Sequence, residues 1–354
     1  MDKITTRALN RALLARQFLL QRTSNSPLSV IEHLVGMQSQ SPTPPYYGLW
    51  SRIENFQPED LSRLIASRKV VRMTLMRTTI HLVSAKDCVA IRPLMQPVIE
   101  RMVYGGYGRM LAGCDVPAIA KAGRKLVEEE PLTYGELASL LQVMWPDVNG
   151  QAMANAVRAH IPLVQVPPRG LWGKSGAAVH TSMEQWLKPK TKPRLSLEKL
   201  LLRYLGAFGP ASVRDMQMWS GLTRLSEIVA KFERKLVKFQ DSRGVVLYDL
   251  PNAPRPDEDL DAPVRLLPEW DNALLSYVDR SRIVEDKWRQ RIYTVNGIIP
   301  GTVLIDGFVC GVWKIKRDKK KAGFSVEYFS RISREQRAEV NEEGERCLTF
   351  APLG

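Results

Sequence analysis

Two primary amides lie one residue apart at Gln38 and Gln40, in the stretch Gly36-Met37-Gln38-Ser39-Gln40-Ser41-Pro42. A glutamine is no base at neutral pH; it offers one oxygen that accepts hydrogen bonds and one NH2 that donates them. Two such groups held in register can fix a water molecule and aim their dipoles at a centre that develops charge. From Ser29 the apolar residues Ile31, Leu34 and Val35 repeat with helical spacing, so the next position on that face is Gln38, where a leucine would be expected. Pro42 biases Ser41 out of the α region, which predicts that Gln40 lies just past the helix and that both amides converge on one cavity. A helix end that merely runs into polar residues has the same pattern, so the surrounding architecture has to decide. Arg77-Thr78-Thr79-Ile80-His81 reads as a strand with Arg77, Thr79 and His81 on one side. With Ser39, these are the expected lining of the cavity, although an ordinary polar strand face would look alike.

Other chemistries fail on spacing. Gly173-Lys174-Ser175 resembles the end of a phosphate loop, but Pro168 occupies the position of its first glycine. Gly106-Tyr107-Gly108 begins like a dinucleotide fingerprint, yet Leu111 takes the third glycine position and no strand precedes it. No Gly-x-Ser-x-Gly elbow occurs. Cys88, Cys114, Cys310 and Cys347 are far apart, and His33, His81, His160 and His180 lack ligand spacing, so no metal, cofactor or disulfide is expected. With 51 Lys and Arg against 37 Asp and Glu, the formal charge is +14 over 354 residues, which favours a polyanionic partner, nucleic acid before a membrane surface. No apolar core of signal-peptide type follows Met1 and no uncharged run is long enough to span a bilayer, so an intracellular, cytoplasmic protein without membrane contact is expected.

Residues 117–185 and 196–250 repeat one sequence of elements: helix, turn, helix, helix, strand pair. Capping-box pairs recur at Thr133/Glu136 and Ser212/Asp215. The third helices, predicted at Gly150 to Ile161 and Thr223 to Leu236, end in hairpins around Pro-Pro-Arg-Gly, which includes Arg169, and Asp-Ser-Arg-Gly. That is the layout of a winged helix-turn-helix. In the first copy Met153, Val157 and Ile161 face inward, leaving Gln151, Asn155 and Arg158 for DNA; in the second, Lys231 and Arg234 are outward beside Thr223 and Glu227. A solvated helix face reads the same way. Residues 1–85 form a degenerate third copy, with helices Thr6 to Leu20, Ser29 to Gln38 and Asp60 to Ser67 before the strands Val70 to Met76 and Thr78 to Val83. Lys86 to Gly113 reads as a helical connector interrupted at Tyr104 to Gly108.

Asn252 to Asp261 is a Pro-rich, acidic linker. Beyond it, Thr302 to Ile305, Asp306-Gly307 and Phe308 to Trp313 predict a hairpin with a type I′ turn, followed by a strand at Gly323 to Ile332 and a helix at Arg334 to Leu348. The run Lys314, Lys316, Arg317, Lys319, Lys320, Lys321 reads as a solvated loop able to clamp phosphate. The fold class expected is therefore α+β, with units at 1–113, 114–190 and 191–251 and a β-rich C-terminal module at 262–354.

Taken in order, Gly-Met-Gln-Ser-Gln at 36–40, Arg-Thr-Thr-Ile-His at 77–81, Pro-Pro-Arg-Gly-Leu-Trp-Gly at 167–173, Tyr-Leu-Gly-Ala-Phe-Gly-Pro-Ala at 204–211, Leu-Pro-Glu-Trp-Asp-Asn at 267–272 and Asp-Arg-Ser-Arg at 279–282 resemble the AlkZ-like winged-helix DNA glycosylases. The resemblance spans nearly the whole chain. It implies three tandem winged units bent into a C around a basic DNA channel, and removal of N7- or N3-alkylated purines from double-stranded DNA, bulky adducts and interstrand crosslinks included. It assigns Gln38 and Gln40 as the catalytic pair; the chemistry of the two amides assigns Gln40 mainly to the water and Gln38 to orienting that water or the sugar. Ser39 stands where the family usually has an apolar residue. A monomer without an obligate protein partner is expected. A non-catalytic winged-helix regulator is the alternative, although such proteins usually carry one unit and dimerise.

Overall fold

The computed structural model describes residues 1–190, 193–294, 296–318 and 321–350, apart from the side chains of 317, 318 and 321. The architecture is mixed α+β, with three sheets among the described residues. The first sheet pairs β1 (Asp2–Lys3) in parallel with β7 (Val237–Gln240), which is antiparallel to β8 (Val246–Asp249). The second, of five strands, runs β2 (Met37–Gln38), β4 (Ile80–Ser84), β3 (Val70–Thr74), β5 (Leu163–Gln165), β6 (His180–Ser182). The third contains β9 (Arg265–Leu267), β10 (Thr302–Ile305), β11 (Phe308–Asp318) and β12 (Lys321–Tyr328), and the helix Arg334–Phe350 packs on it.

The middle sheet joins what the sequence separates. Arg72 lies opposite Gln165 and Met73 opposite Val164, so the hairpin of residues 70–84 and the strand pair of residues 163–182 share one ladder. The largest buried cluster likewise draws Leu13 and Leu14 from the first helix, Val71 and Met73 from β3, Tyr204 and Phe208 from the helix Leu197–Phe208, and Leu304 and Val309 from the last sheet. A separate cluster lies beneath the helices Val116–Glu129, Tyr134–Met144 and Gly150–His160.

Local expectations fare unevenly. Both capping boxes form, Thr133 with Glu136 and Ser212 with Asp215. The Asp306-Gly307 turn has φ of 47° and 81°, as a type I′ turn requires. The helix expected from Ser29 to Gln38 instead occupies Pro27–His33. Val35 and Gly36 then take φ of 56° and 91°, reversing the chain into β2, so Gln38 belongs to a strand and not to a helical stripe. The turn of Met76–Thr78 holds Arg77 and Thr78 at φ of 53° and 60°, so Arg77 and Thr79 stand outside the strand that was to carry them beside His81. The helix Gln96–Tyr107 runs through the glycines expected to interrupt it. The helix expected at Thr223 to Leu236 breaks into Leu225–Ala230 and a 3-10 turn at Glu233–Lys235. Of the basic run beyond Trp313, residues 314–318 and 321 are strand residues of the β11–β12 pair and not a loop.

The 252–261 segment has no regular structure, yet it is fastened to the first helix, Thr6–Arg16. Arg7 Nε donates to Glu258 O at 2.7 Å, Arg11 Nε to Leu260 O at 2.6 Å and Arg16 Nε to Pro254 O at 3.2 Å. Among the described residues no helix is long and apolar enough to cross a membrane, and no group of His, Cys, Asp or Glu is arranged to hold a metal.

Candidate active site

Pairing of β2 with β4 sets Gln38 opposite His81, so their side chains share a face of the sheet. The chain then bends. Ser39 N donates to Ile80 O at 2.7 Å, and Gln40 reaches back so that its Oε1 accepts from Ile80 N at 3.2 Å. Gln38 Oε1 accepts from Arg77 Nη2 at 2.7 Å, and Arg77 Nη1 is itself fixed to Trp219 O at 2.5 Å. Because a guanidinium and a backbone N–H can only donate, both amide orientations follow from their partners. Each amide is left with one acceptor lone pair and its NH2.

Ser39 is fully buried between them. Its Oγ accepts from Arg72 Nε at 2.9 Å and donates to Ser41 O at 3.2 Å, while its carbonyl accepts from Arg72 Nη2 at 2.7 Å. Arg72 comes from the centre of β3 and has no carboxylate partner among the described residues; its Nη1 is buried with no hydrogen bond there. Burial, and then the charge of Arg169, lower the Arg72 guanidinium to about 10. Burial, and then the charge of Arg280, do the same for Arg77. His81 is pushed down to about 3, chiefly by burial and next by Arg77, so the ring is neutral. Its Nδ1 lies 3.1 Å from Thr79 O, which makes Nδ1 the protonated nitrogen and leaves the buried Nε2 unpartnered. Thr79 Oγ1 donates to Met76 O and closes the turn, so of the expected lining Ser39, Arg77 and His81 gather at the glutamines, whereas Thr79 is spent on the backbone.

Three spaces adjoin this constellation. A cavity of about 10 Å³ lies behind Gln38, bounded also by Glu269, Asp271 and Asn272. A groove of about 690 Å³ passes Ser41 to Thr43 and is walled by Tyr47, Trp172, Trp313, Glu269 and Lys314. A cleft of about 650 Å³ opens on the Arg77 side, with Arg101 and Arg214 in its wall. Arg72, Glu269, Asn272, Arg101 and Arg214 were not picked out from sequence; only Glu269 and Asn272 fall in a conspicuous motif, Leu267-Pro268-Glu269-Trp270-Asp271-Asn272.

The expected DNA-binding residues are scattered. Lys314 and Lys316 are exposed on β11, and Lys231 and Arg234 are exposed around the broken helix. Gln151 is exposed, but Asn155 Nδ2 donates to Gln151 O. Arg158 is turned inward, 5.8 Å over the Tyr134 ring and 3.7 Å from Met102 Sδ. The cause is packing: the helix Gly150–His160 is enclosed by helices 96–107, 116–129 and 134–144, so little of it is free to enter a groove. Arg169 Nη1 donates to Gly176 O within its own loop. Lys319 and Lys320 lie outside the described residues, as do the side chains of Arg317 and Lys321.

The AlkZ-like family model, described as "DNA glycosylase AlkZ-like", matches residues 31–350. This chain belongs to the AlkZ-like DNA glycosylase family. It is 25% identical over 338 residues to the interstrand DNA cross-link repair glycosylase of Streptomyces sahachiroi, a match covering 85% of each chain. The solved structure of Streptomyces sahachiroi DNA glycosylase AlkZ superposes with a TM-score of 0.81 over 99% of this chain and 97% of that one, at 19% identity, which shows a common fold. Membership makes this AlkZ-like chain a DNA glycosylase, a hydrolase whose substrate is DNA. The +14 charge agrees with that substrate.

Proposed function

We propose that the protein is a monofunctional glycosylase that hydrolyses the N-glycosidic bond of cationic N7- or N3-alkylated purines in double-stranded DNA, bulky adducts and interstrand crosslinks included. The observation that carries this reading is the clamping of the glutamine segment, Gln38 by Arg77 and Ser39 by Arg72. An alkylated purine already carries positive charge, so the bond from C1′ to the base breaks with its electron pair going to the base, which leaves neutral. What remains is to hold a water and to favour the oxocarbenium-like sugar, tasks that pre-oriented dipoles perform without reorganising. Gln40, exposed at the bend, presents its NH2 and free lone pair to the water. Gln38, whose oxygen is committed to Arg77, orients water or sugar through Nε2.

Three winged helix-turn-helix units, residues 1–113, 114–190 and 191–251, with the module at 262–354, fit the element order and would curve around the duplex. The cleft of Arg77, Arg101 and Arg214, together with Lys231, Arg234, Lys314 and Lys316, would meet phosphate. An open groove would admit a large adduct more readily than a closed base pocket. The protein would act as a monomer.

The test is release of base and formation of abasic sites from duplex DNA carrying 7-methylguanine or a bulkier N7 adduct. Gln38→Ala and Gln40→Ala are expected to lose release by about 100-fold while keeping affinity for DNA, in line with removal of one transition-state contact. Equal background release from wild type and both variants would leave a DNA-binding protein without catalysis.

A further inference from the structure

We propose that the small cavity behind Gln38 is the seat of the attacking water and that Glu269 is the base that takes its proton; this rests on the glycosylase reading above. At about 10 Å³ the cavity has room for a single water, the least that such a molecule needs. Its wall is largely apolar but carries a few polar groups. Asn272 is 7% exposed and donates through Nδ2 to Gly36 O at 3.1 Å, but its Oδ1 is buried without a partner, an acceptor that calls for a donor. Gln38 supplies the neighbouring amide; Gln40 does not line the cavity, so in this refinement of the reading Gln38 holds the water and Gln40 faces the sugar.

Two carboxylates border the cavity, and they differ in what they are free to do. Asp271 is spent on Arg52, which donates to its two oxygens at 2.9 Å each. Glu269 has neither an ion pair nor a hydrogen bond among the described residues. It lines both the cavity and the open groove beside Ser41 to Thr43, and so stands between the enclosed water and the side from which a sugar would approach. Burial on one side raises its carboxyl above the ordinary value, which strengthens it as a base. The charged groups that line these spaces with it are Arg52 and Asp271 in the cavity and Lys174 and Lys314 in the groove.

Charge supplies a second reason. Amides are neutral, and the group fixing Gln38 is the Arg77 guanidinium, which disfavours a cationic sugar close by. A carboxylate on the same cavity offsets it. In the step proposed, the water oxygen bonds to C1′ as the C1′–N bond breaks with its pair to the purine. The water proton passes to Glu269 and on to solvent, and the purine leaves neutral.

Single-turnover release of 7-methylguanine from duplex DNA by wild type, Glu269→Gln and Glu269→Asp is the experiment, run from pH 5 to 9 beside affinity for undamaged DNA. Glu269→Gln is expected to be slower by about 100-fold, the lower end of what a general base contributes, with affinity unchanged. The acid limb of the wild-type profile should vanish in Glu269→Gln, and Glu269→Asp should retain part of the rate. A Glu269→Gln rate within about twofold of wild type, with the same profile, overturns the assignment. Wild-type protein that releases no base removes the glycosylase reading itself, a different result from equal rates.

Discussion

Ser39 shows how one residue can be misjudged by its neighbours. Between two glutamines it looks like a gap in packing, yet its hydroxyl and carbonyl hold the buried Arg72 and thereby the bend that separates the two amides. Nothing within ten residues of Ser39 announces Arg72; the partner arrives through strand register, which amphipathic patterns do not encode. Arg77 was legible as a residue of the site but not in its role, because its left-handed backbone turns it out of the strand and onto Gln38. That role is testable apart from charge on DNA. Arg77→Met keeps the length of the side chain and removes the donor, so Gln38 loses its fixed orientation. Base release should fall by about tenfold or more, as loss of one charge-assisted hydrogen bond would give, and added salt should weaken binding of undamaged DNA with a slope lower by at most one phosphate contact. Unchanged release would mean that Gln38 is held well enough by its strand.

At the level of elements, because caps and apolar periodicity are local, sequence patterns locate most helices and the capping boxes at Thr133 and Ser212, though not the one at Gln57 with Asp60. They fail where a helix must stop for a tertiary reason. The apolar run through Val35 continues the helical period, but Gly36 lies against Val83 of β4 so closely that an added Cβ would sit 2.5 Å from Val83 Cγ1, and the chain pairs as a strand. The helix of residues 150–160 keeps a polar stripe at Gln151, Asn155 and Arg158, but alanines at 152, 154, 156 and 159 let three helices close around the rest of it, so the face left outward is narrow.

The same middle sheet gives acid sensitivity. His81 and His180 are both buried, with pKa values lowered to about 3 and about 4 from an ordinary 6.5, each chiefly by burial. Both are neutral when folded and titrate normally when unfolded, so the unfolded chain binds more protons from about pH 6.5 downward. Stability should therefore be full above pH 7 and fall with acidification by up to about 1.4 kcal/mol per pH unit for each ring, with the His180 contribution complete near pH 4 and that of His81 near pH 3. Denaturant midpoints at pH 7.5, 6 and 5 check this, and His81→Asn with His180→Asn should flatten the curve. A midpoint independent of pH in this range contradicts it.

Across the whole molecule, the first helix is where distant parts meet. Arg16 binds Asp249 at 2.6 and 2.8 Å with both side chains excluded from water, and Arg255 joins the same carboxylate at 2.6 Å. Arg7 and Arg11 reach Asp306, and an added Cβ on Gly307 would lie 2.3 Å from Asn10 Oδ1. None of this was visible in the charge count, which treats arginine as surface. Asp249→Ala strands a buried guanidinium and should cost about 3–5 kcal/mol of stability, read as a lowered thermal midpoint. A shift within experimental error would place Arg16 in contact with water after all.

The ladder between β3 and β5 carries a mechanical meaning. Two segments that would otherwise be free to pivot share backbone hydrogen bonds, and Arg72 lies in the paired stretch while holding the glutamine bend. A body stiffened in this way would resist closing around DNA by flexing there, and adjustment on docking would fall to the duplex. Bending a short duplex costs on the order of 1–6 kcal/mol and depends on the base steps being bent. Discrimination would then begin before any chemistry, in the compliance of the DNA around the damaged base.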